Sequence, residues 1–271
     1  KIPMILDMAG LALERVRLAD DATRATVIAR SDALKSALLS AVSHDLRTPL
    51  ATIKAGATSL LQEDIVWSPR DQRDLLEAID EETDRMTRLV SNLLDLTRIE
   101  AGALRPNLAW NDPVDMVQET IRRVQPLLSQ HRIVTHLPSH LPTTLFDEVE
   151  IGQVLFNLLE NAGKYAPAGT TIDVTLEQDG DTLVFRVEDR GPGIPPDRAE
   201  RVFEKFYRLE ERRLASGAGI GLAICRGIVE AHRGNISVET RDGGGASFRF
   251  TLPIQNRQPV HGEEGTWVRA S

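Results

Sequence analysis

The sequence predicts an α+β protein in two parts: a long helical hairpin, then a domain with a mixed sheet covered by helices on one face. Three observations predict it. Apolar residues over 11–102 recur at spacings of three and four, the helical period. From Arg105 onward the pattern gives way to short alternating runs separated by glycine-bearing turns. Helical stretches are interleaved with those runs, as expected where helices are layered on a sheet.

At 271 residues the chain has room for one or two domains. Apolar residues make up 41% and aromatics only 4%, so leucine, isoleucine, valine and alanine must build the core. A net charge of −8 argues against nucleic acid as the main partner. It leaves a nucleotide open, because a nucleotide binds through local geometry. The single cysteine, Cys225, rules out an internal disulfide, fits a reducing compartment and reads as a buried structural thiol. No run approaches the ~20 apolar residues of a membrane span, and no signal peptide is evident. The chain starts in mid-pattern at Lys1 without an initiator methionine, so a fragment of a longer protein is expected.

Residues 11–43 read as helix, with Leu11, Leu13, Val16 and Leu18 early and Leu34, Leu38 and Leu39 late. One helix from residue 11 to 61 would be ~75 Å long and needs a partner to be stable in water. Trp67-Ser68-Pro69 breaks the pattern. Ser68 suits an N-cap and Pro69 the first helical position. Leu75, Ile79, Met86, Leu89, Leu93 and Leu96 then repeat at three–four, interrupted by Glu82, until Gly102 stops the helix. Two such helices on a short turn form an antiparallel hairpin. The hairpin leaves an apolar seam uncovered, so two copies are expected to dimerise into a four-helix bundle.

Beyond a linker at Pro106, Asn107, Asp112 and Pro113, Asp112 caps a predicted helix over 113–129, with Pro126 troubling its last turn. Arg132 to Leu137 is a short strand. Asp147 opens a helix through Lys164. Ile172–Leu176 and Leu183–Val187 alternate around Asp179-Gly180, a hairpin signal. Asn235–Thr240 and Ser247–Thr251 do so around Asp242-Gly243-Gly244-Gly245. Further helices are predicted over 197–208 and 219–232. The tail after Pro253 has little apolar content and reads as disordered.

One stretch of the first helix stands out: Ser43-His44-Asp45-Leu46-Arg47-Thr48-Pro49-Leu50. Leu39, Val42, Leu46, Leu50, Ile53, Ala57 and Leu60 form the apolar stripe. His44 is two residues from both Val42 and Leu46, so it faces water, with Thr48 one turn on and Asp45 on the flank. A lone surface histidine is usually a bystander. Here a neighbouring carboxylate can orient the ring, and Ala51 and Ala55 leave room for a partner. Pro49 should bend the helix just past the histidine.

Four constellations in the second part are each modest alone. Asn157, Asn161 and Lys164 share a helix face, ending in Tyr165. Two amide oxygens and an ammonium suit a hydrated divalent metal plus phosphates. Asp189-Arg190-Gly191-Pro192-Gly193-Ile194 follows a strand; its glycines admit a ligand close to the backbone and its carboxylate can accept a hydrogen bond. Gly217-Ala218-Gly219-Ile220-Gly221-Leu222 opens a helix, an anion site by the exposed N–H groups. Gly243-Gly244-Gly245 precedes the last strand, where an ordinary hairpin is as good a reading.

Together these motifs resemble sensor histidine kinases of two-component systems. The string around His44 resembles their H-box. The four constellations, in order, resemble the N, G1, G2 and G3 boxes of the family's ATP-binding domain. Phe203-Glu204-Lys205-Phe206-Tyr207-Arg208 resembles the F box, with 209–216 where the family has its ATP lid. The wording of the hairpin and of Ala223-Ile224-Cys225-Arg226-Gly227 is most similar to the potassium-sensing, Kdp-type branch. Ala246 departs from the threonine many members carry.

The resemblance implies an α/β-sandwich ATP-binding domain over 105–254 after a dimerisation and histidine-phosphotransfer domain over 30–104. Residues 1–29 would be a signalling helix or the end of an upstream GAF-like sensor domain, and 255–271 the tail. It implies ATP and Mg²⁺ as cofactors and His44 as phosphoacceptor. Asp45 assists, Arg208 reaches the γ-phosphate, and Thr48 serves phosphatase action. Asp189 would take the adenine amino group, with Ile194, Gly191 and Gly193 beside it. Asn161, helped by Asn157, would hold the metal. Lys164, Tyr165, Phe206, Gly217, Gly219, Gly221 and Leu222 would line the nucleotide. The implied partners are a second copy of the chain and a response-regulator receiver domain. The implied location is the cytoplasm, free or as the cytoplasmic portion of an inner-membrane sensor.

Two rival readings compete. ATPases of the gyrase and heat-shock-chaperone kind share the fold but carry a glutamate four residues before the metal asparagine; here that position is Asn157. A degenerate kinase acting as a dimeric scaffold is the other, and the intact boxes argue against it.

Overall fold

The computed structural model describes residues 46–62, 64–209, 219–241 and 243–255. The predicted helix over 11–43, His44, Asp45, Gly217 and the tail beyond 255 lie outside the described residues. The chain divides into two compact units, residues 1–89 and 90–271.

In the first unit, α1 spans residues 46–60 and continues through the buried Pro49. Helix α2, Pro69–Glu100, begins there. Its start is fixed as the sequence predicts: Ser68 Oγ accepts from the Asp71 N–H at 3.1 Å and donates to the Asp71 carboxylate at 2.7 Å. Trp67 anchors the turn by donating its indole N–H to the Ser59 carbonyl at 3.1 Å. The two helices meet at Gly56, where an added Cβ would stand 3.1 Å from Ile79. Leu50 and Leu76 remain 56% and 52% exposed, which leaves the apolar seam uncovered in the single chain.

The second unit holds the last turns of α2 and the sheet. Helix α2 stops with Gly102 at φ +60° and the Ala103 N–H on the Arg98 carbonyl at 2.8 Å. Among the described residues the elements that follow are β1 (Ala109–Asn111), α3 (Pro113–Val124), β2 (Arg132–His136), β3 (Thr144–Phe146), α4 (Glu148–Tyr165), β4 (Thr171–Asp179), β5 (Thr182–Glu188), α5 (Gly221–Ala231), β6 (Ile236–Thr240) and β7 (Ala246–Pro253). The sheet order is β2-β4-β5-β7-β6, with β2 parallel to β4 and the other pairs antiparallel. Strands β1 and β3 pair separately.

Alternation in β4 points Ile172, Val174 and Leu176 inward. Phe185 and Phe250 stack across β5 and β7 with centroids 4.4 Å apart. Helix α4 buries Ile151, Val154, Leu155, Leu158 and Leu159 completely. Asp112 and Asp147 cap α3 and α4 through their Oδ1 atoms. The end of α2 joins this core. Leu96 is 1% exposed, and Ile99 fills the space that a side chain at Gly227 would need.

Two local expectations are corrected. The helix after Asp112 ends at Val124, not 129, because Pro126 has no N–H to continue the ladder, and the Leu127 N–H bonds only three residues back, to the Val124 carbonyl at 3.0 Å. The stretch 197–208 is not a helix but two 3₁₀ turns, Pro196–Arg198 and Arg201–Phe203. Phe206 at φ +62° is incompatible with helical continuation. Strands β1 and β3 were not foreseen; each is three residues long, too short for a pattern.

Candidate functional site

Helix α4 carries the first set of site residues. Its apolar side fixes its rotation, so Asn157, Asn161 and Lys164 follow one another along the opposite flank. Asn157 is 8% exposed and lies against the Cys225 thiol of α5. Its Nδ2 is buried with no hydrogen-bond partner among the described residues. Asn161 is half-buried and Lys164 exposed, its ammonium 5.3 Å from the Tyr165 ring centroid. Cys225 is fully buried, with its thiol pushed up to about 12 by burial, and is inert.

The loop after β5 packs onto the end of α4. Asp189 is 4% exposed, and its Oδ1 accepts from the Gly191 N–H at 2.7 Å and the Ala246 N–H at 3.2 Å. Two backbone donors hold this carboxylate as an acceptor. A Cβ at Gly191 would stand 2.9 Å from the Tyr165 carbonyl oxygen, and one at Gly193 would stand 2.8 Å from that of Gly245. Ile194 is 6% exposed, and its carbonyl accepts from the Thr240 hydroxyl at 3.2 Å.

A second cluster joins the residues that flank segment 210–218. The Phe206 N–H donates to the Gly219 carbonyl at 2.9 Å. An added Cβ at Gly219 would stand 3.2 Å from the Arg208 side chain. Phe206, Arg208 and Gly219 are thus adjacent. Gly221 opens α5 with open space around its Cα, and Leu222 is half-buried beside it. Thr48 is exposed on α1 of the first unit.

The amide-and-ammonium face of α4, the fixed carboxylate of Asp189 and the N-terminus of α5 form a donor set that fits a nucleotide triphosphate with Mg²⁺. That ion needs few protein ligands, because it keeps waters and takes phosphate oxygens. Two further groups escaped the sequence reading. Gln153 Nε2 donates to Asn92 Oδ1 at 3.2 Å and to Asp95 Oδ2 at 3.0 Å. Lys205 Nζ pairs with Glu100 at 2.7 Å. Both tie the end of α2 to the sheet unit. No periodicity marks them; a polar residue inside α4's repeat was the only signal for Gln153.

Comparison with known proteins agrees with this architecture. Residues 34–102 match the model of the His Kinase A (phospho-acceptor) domain. Residues 146–256 match that of the Histidine kinase-, DNA gyrase B-, and HSP90-like ATPase. The sensor protein KdpD of Escherichia coli is 38% identical over 244 residues, 90% of this chain and 27% of that protein. KdpD of Mycobacterium tuberculosis is 37% identical over 261 residues, 93% of this chain and 29% of that protein. The chain therefore spans under a third of the length of the KdpD relatives. Full-length ShkA, solved in complex with AMPPNP, superposes with a TM-score of 0.60 at 31% identity, covering 81% of this chain and 46% of that one. The Acinetobacter baumannii histidine kinase AdeS shares the fold, with a TM-score of 0.58 at 23% identity over 79% of this chain and 98% of that one. Hairpin and sheet unit together define a histidine kinase. The chain belongs to the sensor histidine kinases and, within them, to the Kdp-type branch.

Proposed function

We propose that this chain phosphorylates His44 from Mg-ATP and passes the phosphoryl group to an aspartate on a separate response regulator. The observation that carries the reading is the chemistry of the α4 face. It offers the amides of Asn157 and Asn161 and the Lys164 ammonium, while Glu160, the nearby carboxylate, is exposed. Position 157, one turn before Asn161, carries an amide and not a carboxylate, so no acid stands beside Asn161 at that position to activate a water. The nucleophile then comes from elsewhere, and His44 of the Ser43–Leu50 motif is the candidate by its sequence.

Asp189 receives the adenine amino group. Asn161, with Asn157, would hold Mg²⁺, which would supply positive charge to the phosphate oxygens. Lys164 and the N–H groups at Gly219 and Gly221 bind phosphate oxygens, and Arg208 reaches the γ-phosphate. His44 attacks in its neutral form, the main form at pH 7 for a reference pKa of about 6.5. The ring nitrogen forms a bond to phosphorus as the bond to the ADP oxygen breaks. Asp45 holds the proton on the other ring nitrogen, which raises nucleophilicity. Such transfer is mostly positioning and charge stabilisation, so this set suffices. The chain works as a dimer through its hairpin, in the cytoplasm, and also dephosphorylates its regulator with the help of Thr48. No described helix is long and apolar enough to cross a membrane.

The test separates kinase from ATPase. The chain is labelled with γ-phosphate, freed of nucleotide and mixed with purified receiver domains. Movement of label to a receiver supports the reading. Steady release of inorganic phosphate with no labelled protein would instead support the ATPase reading.

A further inference from the structure

Strand β7 begins against the residue that the proposed function assigns to adenine. The Asp189 N–H donates to the Ala246 carbonyl at 2.9 Å, and the Ala246 N–H returns to Asp189 Oδ1 at 3.2 Å. This close approach depends on Gly245. It is buried at φ +111°, and a Cβ there would overlap the carbonyl oxygen of Asp189 and stand 3.1 Å from the Cα of Arg190. Its neighbours in the same turn differ. Gly243 at φ +84° and Gly244 at φ +96° are exposed, and a Cβ at either would meet nothing within 4 Å. The triple glycine therefore contains two turn residues and one contact residue.

We propose that Gly245 is the positioning residue for Asp189 and, through that carboxylate, sets the selection of adenine over guanine. The proposal rests on Asp189 being the adenine acceptor. A carboxylate at the correct place accepts from the exocyclic amino group of adenine; guanine presents a carbonyl oxygen there, and two acceptors repel. Gly245 brings the start of β7 close enough for Ala246 to hold Oδ1 against Gly191. A side chain at 245 must push the Asp189 backbone aside, and the carboxylate moves with it. The phosphate-facing residues of α4 and α5 belong to other elements, so base selection is affected more than phosphate binding.

The experiment measures ADP and GDP binding by calorimetry in the full chain and in Gly245→Ala, Gly244→Ala and Asp189→Asn, with thermal melts to establish folding. Gly244→Ala imposes the same left-handed strain without the overlap. The expected result is about a tenfold loss of ADP affinity in Gly245→Ala, the size of one hydrogen bond to a charged group, with a reduced ADP-to-GDP ratio. Gly244→Ala should keep that ratio. Equal changes in the two glycine variants would overturn the proposal, as would an unchanged ratio in folded Gly245→Ala while Asp189→Asn loses ADP. If Asp189→Asn binds ADP and GDP as the parent does, the proposal falls together with the adenine assignment. If Gly245→Ala does not fold, Gly193→Ala replaces it, because its Cβ presses on the Gly245 carbonyl from 2.8 Å. Loss of base selection there supports the proposal, and retention overturns it.

Discussion

Gln153 in α4 donates its side-chain amide to the Asp95 carboxylate of α2 at 3.0 Å, one helical turn from Glu150. Glu150 Oε2 is buried without a hydrogen-bond partner among the described residues. Burial, then Asp147 and Asp95, raise its carboxyl from 4.5 to about 7, against a lowering by Arg98. His232 Nδ1 faces it from α5 at 4.0 Å. That ring is neutral, donating from Nδ1 to the Ile228 carbonyl at 2.8 Å and accepting the Asp147 N–H on Nε2 at 3.0 Å. Burial holds its pKa below the usual range.

Glu150 therefore binds its proton more tightly folded than unfolded. Its stabilising contribution is complete below about pH 4.5 and is lost as pH rises toward about 7. Each raised unit corresponds to ~1.4 kcal/mol. His232 contributes in the opposite sense, gaining stability as pH rises through its unfolded value, so the whole-protein profile mixes the two. Glu150→Gln isolates the first. Denaturant unfolding should show the variant becoming more stable relative to the parent from pH 5 to 7, with a constant gap above. A gap independent of pH would remove Glu150 from this account.

Asn161→Ala and Asp189→Asn should fail differently. The first removes an amide oxygen proposed to hold the metal, so nucleotide binding should lose its Mg²⁺ enhancement. The second weakens binding by about tenfold, one charged hydrogen bond, with the Mg²⁺ enhancement intact. Calorimetry with and without Mg²⁺ reads both. An unchanged Mg²⁺ response in Asn161→Ala would mean that another face of α4 holds the ion.

Leu76 is 52% exposed on α2, and Leu50 is 56% exposed on α1. Such a seam is buried if the hairpin pairs with a second copy. Leu76→Glu should convert a dimer into a monomer in sedimentation, since an unpaired carboxylate in a bundle core costs several kcal/mol. Nucleotide binding should persist, because the site residues lie in the other unit. A parent chain that sediments as a monomer would contradict the bundle.

Thr48, four residues after His44 in the sequence, is exposed on α1. Its hydroxyl can hold a water in line with a partner's phosphoaspartate. Thr48→Ala should leave autophosphorylation in place and lengthen the lifetime of phosphorylated regulator in the presence of ADP. Loss of both activities together would make Thr48 structural.

Much of the fold was legible because local signals and tertiary packing agree. Asp147 caps α4 and the apolar three–four repeat continues to Tyr165. Gly180 at φ +58° turns β4 into β5 where Asp179-Gly180 marks a hairpin. The errors lie where tertiary contacts decide. Val202, Phe203 and Phe206 have helical spacing, yet they follow Pro195-Pro196 and meet Gly219 through a left-handed residue. Strand β1 exists because β3 lies beside it. The site residues were visible as types, but Ala246 and Asp189 are 57 residues apart and meet only because Glu188 and Ser247 are register partners. The backbone N–H of Ala246 makes the contact, which explains why its departure from threonine leaves this bond available.

Phosphorylation of His44 from ATP can be read on the protein itself. The most direct measurement is incubation of the chain with γ-labelled Mg-ATP, followed by acid and base treatment of the labelled protein. Label should be lost in acid, survive base, and be absent from His44→Gln even though that variant binds ATP as the parent does. Label that survives acid, or equal labelling of His44→Gln, would contradict it.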